Sequence, residues 1–141
     1  MSRMKFAWET GLDSATVPVY MGRAYQNLFA DYDRTEARVL ACSAGGLTSY
    51  LPMLVRELGN GQNEAYSAYG YGGLLGALSL SDADVAALKA FLADASILAL
   101  FIRHTPFLNN HIAWPGDLCS LSRHTYAASL RSHENFDNYL A

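Results

Sequence analysis

Two short stretches hold the residue types that could do chemistry in this chain. The first, Tyr66-Ser67-Ala68-Tyr69-Gly70-Tyr71-Gly72-Gly73-Leu74-Leu75, sets three glycines within four residues among alternating tyrosines. Permissive backbone lets such flat, amphipathic rings face a ligand or the domain's own core. The second is Arg103-His104, which follows an apolar run. Ligands of open α/β sheets collect outside the C-terminal ends of strands, so Arg103 is placed to clamp an anion. Each stretch also has a plain structural reading. The loop suits a tight turn with half-buried tyrosines, and Arg103 suits a surface arginine snorkelling from a strand end.

Other reactive types carry less. Gly70-Tyr71-Gly72-Gly73 matches neither GxxxxGK[ST] nor GxGxxG, which removes a phosphate cradle. His104, His111, His124 and His133 lack HExxH or any other ligand spacing, so no metal site is expected. Ser43 is outside a G-x-S-x-G elbow, and Cys42 and Cys119 belong to no CxxC or Cys/His motif. Nucleophilic catalysis therefore has no motif behind it, and the cysteines read as reduced, buried thiols of a cytoplasmic protein. Asp82 and Asp84 read as helix-start charges. A net charge of −3 with scattered Lys and Arg gives no footprint of a DNA binder, while a charged small-molecule substrate stays open.

The elements that must position these residues follow from pattern. Pro18 with Met21, Tyr25, Leu28 and Tyr32 predicts an amphipathic helix over 18–30. Residues 36–44 and 47–58 predict strands joined by a Gly45-Gly46 hairpin, and Pro52 requires a bulge or an unpaired side within the second. Residues 59–63 read as a loop and 64–66 as a short strand leading into the tyrosine loop. Phe6 and Trp8 alternate as in an edge strand. Ser81-Asp82-Ala83-Asp84 caps a helix to about residue 95, with Val85, Leu88, Leu92 and Ala95 on one face. Residues 97–102 are wholly apolar, which predicts a central strand covered on both faces. Residues 106–114 read as loop, 115–117 as turn, 123–130 as strand and 133–141 as helix.

A chain of 141 residues with 51% hydrophobic content fits one domain without an interior linker. The N-terminus lacks a signal-peptide apolar run, and no stretch approaches the roughly 20 residues that cross a bilayer.

Taken in order, Asp13-Ser14-Ala15-Thr16-Val17, Tyr50-Leu51-Pro52-Met53, Tyr69-Gly70-Tyr71-Gly72-Gly73, Phe101-Ile102-Arg103 and Pro106-Phe107-Leu108-Asn109-Asn110 resemble the N-terminal half of FemAB-like N-acyltransferases, relatives of the GNAT fold. The resemblance spans about residues 13–140. It implies a GNAT-like mixed central sheet flanked by helices, one domain over 1–141, and a second half beyond it. It also implies transfer of an acyl or aminoacyl group from acyl-CoA or aminoacyl-tRNA to an amine, in peptidoglycan, cell-envelope or exopolysaccharide assembly. The acceptor would then be a small molecule or a cell-wall precursor, and Tyr69, Tyr71, Arg103 and His104 would line the substrate cleft, with no catalytic residue assigned. Two departures stand out. No Q/R-x-x-G-x-G/A loop opens a helix, and the family's R-x-H-P is replaced by Arg103-His104-Thr105-Pro106, which in an extended segment turns the histidine to the opposite face. The alternative is a non-catalytic GNAT-like binding or assembly module. If the chain is a fragment that lacks its second half, the helix over 136–140 is expected to expose apolar surface and promote association.

Overall fold

The computed structural model describes residues 3–122, so the strand expected over 123–130 and the helix over 133–141 lie outside the described residues. The chain forms β1 (Lys5–Glu9), α1 (Arg23–Asp33), β2 (Glu36–Ala44), β3 (Leu47–Gly59), β4 (Gln62–Tyr66), α2 (Asp82–Asp94) and β5 (Ile97–Phe101). These strands build one five-stranded mixed sheet in the order β1-β2-β3-β4-β5. All neighbours are antiparallel except β4 and β5, which run parallel.

Alternation along the strands divides the sheet's faces. Leu40, Cys42, Leu51, Met53, Val55, Ala65 and Ile97 point to one face, where α2 lays Val85, Leu88 and Leu92 on them. Phe91 extends that core to the β1 edge, with ring centroids 5.7 Å from Phe6 and 5.5 Å from Trp8. The opposite face is smaller. There Leu54 and Ala68 meet Ala30 of α1, with Tyr25, Phe29 and Tyr66 packed around them. Among the described residues no helix is long and apolar enough to cross a membrane.

The hairpin at Gly45-Gly46 and the capped α2 form as their sequences predict. Pro52 pairs with Val39 on β2 but with none of the described residues on its other side. The flanking β3 positions, Leu54 and Tyr50, pair with Tyr66 and Leu75, so the tyrosine loop leaves the sheet where β3 has no N–H to offer.

Two expectations are corrected. The first helix does not run from Pro18. A 3-10 turn over Val19–Met21 precedes α1, and the break falls at Gly22, against which Ser14 is packed. Ser14 Oγ accepts the Ala24 amide at 3.1 Å, capping α1 from ten residues upstream. The inward face becomes Tyr25, Gln26, Phe29 and Ala30, while Leu28 and Tyr32 are exposed. The second correction concerns β5, which edges the described sheet instead of lying at its centre. Leu98 and Phe101 are 61% and 63% exposed because α2 covers only the side of Ile97, Leu100 and Ile102. A register shift against β4 between Asn63 and Glu64 also leaves Leu98 without a partner on β4.

Candidate functional site

Past β4 the chain threads between β3 and the extension of β5. The Ser67 amide donates to Phe101 O at 3.0 Å, and Ser67 Oγ accepts the Arg103 amide at 3.1 Å. Gly72 forms a parallel bridge with His104, its amide donating to Arg103 O at 2.7 Å and its carbonyl accepting from the Thr105 amide at 3.3 Å. Tyr50 and Leu75 exchange backbone hydrogen bonds of 2.8 and 2.7 Å on the β3 side. The tyrosine loop is thus fixed at both ends by backbone pairing and stands beyond the C-terminal ends of the parallel pair.

Asn110 locks the middle of it. This side chain, 7% exposed, donates from Nδ2 to Gly72 O at 2.9 Å and accepts the Thr105 amide on Oδ1 at 3.1 Å. Gly73 has φ +112°, and a Cβ there would lie 2.2 Å from Asn110 Nδ2, so only glycine fits between the amide and the strand. No local pattern marks Asn110 as the loop's fastener, because Gly72, the loop residue it holds, is 38 residues upstream in the chain.

The two tyrosines differ in their surroundings. Tyr71 is half-buried between Tyr20 and Phe107, edge-on to each at 5.7 and 6.3 Å. Tyr69 is 72% exposed and lies nearly parallel to Phe29 at 5.9 Å, while its carbonyl accepts the Tyr25 hydroxyl at 2.6 Å. Burial first, and then the neighbouring Tyr20 and Tyr69, push the Tyr25 hydroxyl above its ordinary range, so it remains a donor at neutral pH. Tyr71 therefore packs as part of an aromatic row, and Tyr69 offers a ring to solvent.

Arg103 and His104 diverge. The Arg103 side chain is exposed and has no ion-pair partner among the described residues. His104 is turned toward Trp114, 6.2 Å away between centroids, which packs against the α2-side core. Its Nε2 lies 3.8 Å from Cys119 Sγ, and its ring is 6.5 Å from His111. Burial, followed by His111, lowers the basicity of His104. Burial and Asp117 raise the Cys119 thiol. A thiol that resists ionisation beside an imidazole that resists protonation is the reverse of a thiolate–imidazolium nucleophile. Sequence spacing did not bring Cys119 and His104 together; the 3-10 turns Asn110–Ala113 and Gly116–Leu118 do. Of the four expected cleft residues, Tyr69 and Tyr71 thus share the aromatic surface over α1, Arg103 faces solvent, and His104 belongs to a separate cluster. No group of His, Cys, Asp and Glu suited to a metal ion forms among the described residues.

The start of α2, next along the chain, is closed by its own acids. Ser81 Oγ accepts the Asp84 amide at 3.3 Å, while Asp84 Oδ2 accepts the Ser81 amide at 3.0 Å and the Ser81 hydroxyl at 2.6 Å. Those bonds from Ser81 hold the Asp84 carboxyl below its usual range. An incoming phosphate at this helix terminus would meet Asp82 and an ionised Asp84. Comparison with family models, with curated proteins and with solved structures finds no match to this chain, so the reading of its function rests on this geometry and on its sequence motifs.

Proposed function

We propose that the chain is a GNAT-like domain, the N-terminal half of a FemAB-like N-acyltransferase, that helps hold an amine against an activated acyl or aminoacyl group. The observation that carries this reading is the backbone-fixed tyrosine loop at the C-terminal ends of β4 and β5, the only parallel pair among the described strands. In such a reaction a neutral amine attacks a thioester or ester carbonyl, a proton leaves the nitrogen, and the thiol or alcohol departs. Positioning is the contribution this chain supplies. Tyr69 and Tyr71 present a flat wall, and Arg103, without an ion-pair partner among the described residues, supplies a cation for a phosphate or carboxylate of the bound molecule. The donor is acyl-CoA or aminoacyl-tRNA, and the acceptor is an amine of a small molecule or cell-wall precursor handled in the cytoplasm.

A second reading, a non-catalytic binding or assembly module on the same fold, is favoured by one feature. The acidic, self-capped start of α2 repels a pyrophosphate where a GNAT helix would accept one. Amide chemical shifts separate the outcomes. Titration with an acyl-CoA, an aminoacyl-tRNA and an amine-bearing peptidoglycan precursor is expected to shift Tyr69, Tyr71, Gly72 and Arg103 for at least one ligand, and Arg103→Ala weakens that binding. Silence of the loop toward all three overturns the acyltransferase reading. The chain alone is expected to transfer no acyl group, and measurable transfer to an amine would refute the half-site assignment.

A further inference from the structure

A cavity of about 430 Å³ opens on the α1 face of the sheet, at the far end of the tyrosine loop from Arg103. This volume falls within the range of small-molecule sites. Glu9, at the end of β1, and Tyr50 of β3 stand on its sheet side, because Glu9 pairs through Val39 with Pro52 and so shares a face with Tyr50. Asp13 and Leu12 close it from the connection to α1, and Leu75 from the tyrosine loop.

The lining has a definite chemistry. Among the described residues it is lined by two carboxylates and no basic side chain. Neither Glu9 nor Asp13 is ion-paired among the described residues. Arg23 reaches only the carbonyl of Gly11, at 3.5 Å, and is not part of the wall. Thr48 and Tyr50 add hydroxyls. Thr48 Oγ1 is engaged by Ser43 at 2.9 Å, whereas the Tyr50 hydroxyl has no hydrogen-bond partner among the described residues. Tyr50 is held at its backbone by the paired bonds to Leu75, so its phenol is presented from a rigid position. An apolar wall of Leu12 and Leu75 beside a ring, hydroxyls and two exposed carboxylates, neither ion-paired among the described residues, matches a compact molecule that is cationic and hydroxylated.

We propose that this cavity binds a small polyhydroxylated primary amine in its ammonium form, with Glu9 and Asp13 facing the charge and Tyr50 and Thr48 facing the hydroxyls. The proposal does not rest on the acyl-transfer reading, since its residues lie apart from Tyr69, Tyr71 and Arg103. Glucosamine, glucose and N-acetylglucosamine serve as probes, because they share the ring and differ in charge. Followed by amide shifts, glucosamine is expected to move Thr48, Tyr50, Leu75 and Gly76 in the millimolar range, and the two neutral sugars to bind at least tenfold more weakly. The double variant Glu9→Gln, Asp13→Asn is expected to abolish that preference. Asp13→Asn keeps the Oδ1 acceptor for the Ala15 amide, 3.0 Å away, so the local turn survives and loss of binding does not report unfolding. Equal binding of the neutral sugars, no shift with glucosamine, or undiminished affinity in the double variant would each overturn the proposal.

Discussion

Replacing Gly73 by alanine puts a methyl carbon 2.2 Å from Asn110 Nδ2 and 2.7 Å from its Cγ, on backbone with φ +112°. The side chain struck belongs to a buried residue that holds Gly72 and Thr105 together. Positive φ alone costs an L-residue about 1–2 kcal/mol. If Asn110 moves aside, the Gly72 carbonyl and the Thr105 amide keep only their 3.3 Å bond to each other, and the buried Asn110 amide loses both partners, at about 1–3 kcal/mol in all. With the backbone term, the expected destabilisation is about 2–5 kcal/mol, a large share of the roughly 5–15 kcal/mol available to a domain. Gly45→Ala is the control, since its φ of +58° is also left-handed but nothing lies within 4 Å of the added carbon. It should cost only about 1 kcal/mol. Urea unfolding with matched m-values measures both. The Gly73→Ala, Asn110→Ala double variant should be less damaged than the two single costs added, with a coupling of at least about 1 kcal/mol, because the obstructing amide is gone. Equal stability of the Gly73 and Gly45 variants, or strict additivity in the double variant, would refute the view that Asn110 fastens the loop.

Ser81→Ala removes the two Oγ bonds of the α2 cap, leaving the residue 81 amide to donate to Asp84, and should cost about 1 kcal/mol near neutral pH. Because the folded pKa of Asp84 is depressed, that stabilisation is present above the unfolded carboxylate value and fades as pH falls through the folded one, so thermal melts of variant and wild type should converge in acid. His104 should titrate below the ordinary imidazole value of about 6.5 when its ring protons are followed by NMR. Its depressed folded pKa makes stability fall as pH drops from the unfolded value through the folded one, and His104→Gln should flatten that slope; a midpoint above 6.5 would contradict the burial argument. Burial pushes the Cys42 thiol up to about 12, so alkylation of the native protein, read by mass spectrometry, should modify Cys119 slowly and spare Cys42. Equal labelling rates would be inconsistent with the packing described.

Those elements whose signals are local were legible in the sequence. Ser81 and Asp84 announce α2 because the cap is made within three residues, and Gly45-Gly46 announces the hairpin because its turn is self-contained. Pro52 announced either a bulge or an unpaired side of β3, and the structure shows the second, with the loop departing there. Where partners are remote, pattern misled. Helix α1 begins after Gly22 because Ser14 caps it from outside, which shifts its inward stripe from Leu28 and Tyr32 to Gln26 and Ala30. An apolar β5 looks the same whether it is central or at an edge, since hydrophobicity records that a residue tolerates burial and not how many layers cover it. The candidate site was half legible. The loop and Arg103 were marked by composition and position, but Asn110, the Cys119–His104 contact and the cavity under residues 11–17 are made by residues distant in sequence.

The placement of β5 has a kinetic consequence. Strands β2, β3 and β4 follow one another through short turns, whereas β5 reaches the sheet only after the tyrosine loop and α2 have been traversed. Closing the nearer contacts costs less chain entropy, so the hairpins should assemble first and β5 later. The loop needs Tyr50 on one side and Arg103 to Thr105 on the other, and the second set exists only once β5 has docked. It is therefore the last part to close and the first able to open without dismantling the antiparallel strands. Hydrogen exchange should show the Gly72 and Thr105 amides released well before those of Leu40 and Leu51. A surface that opens on its own in this way can admit a ligand on a timescale set by β5, while the hairpins beneath it keep their shape.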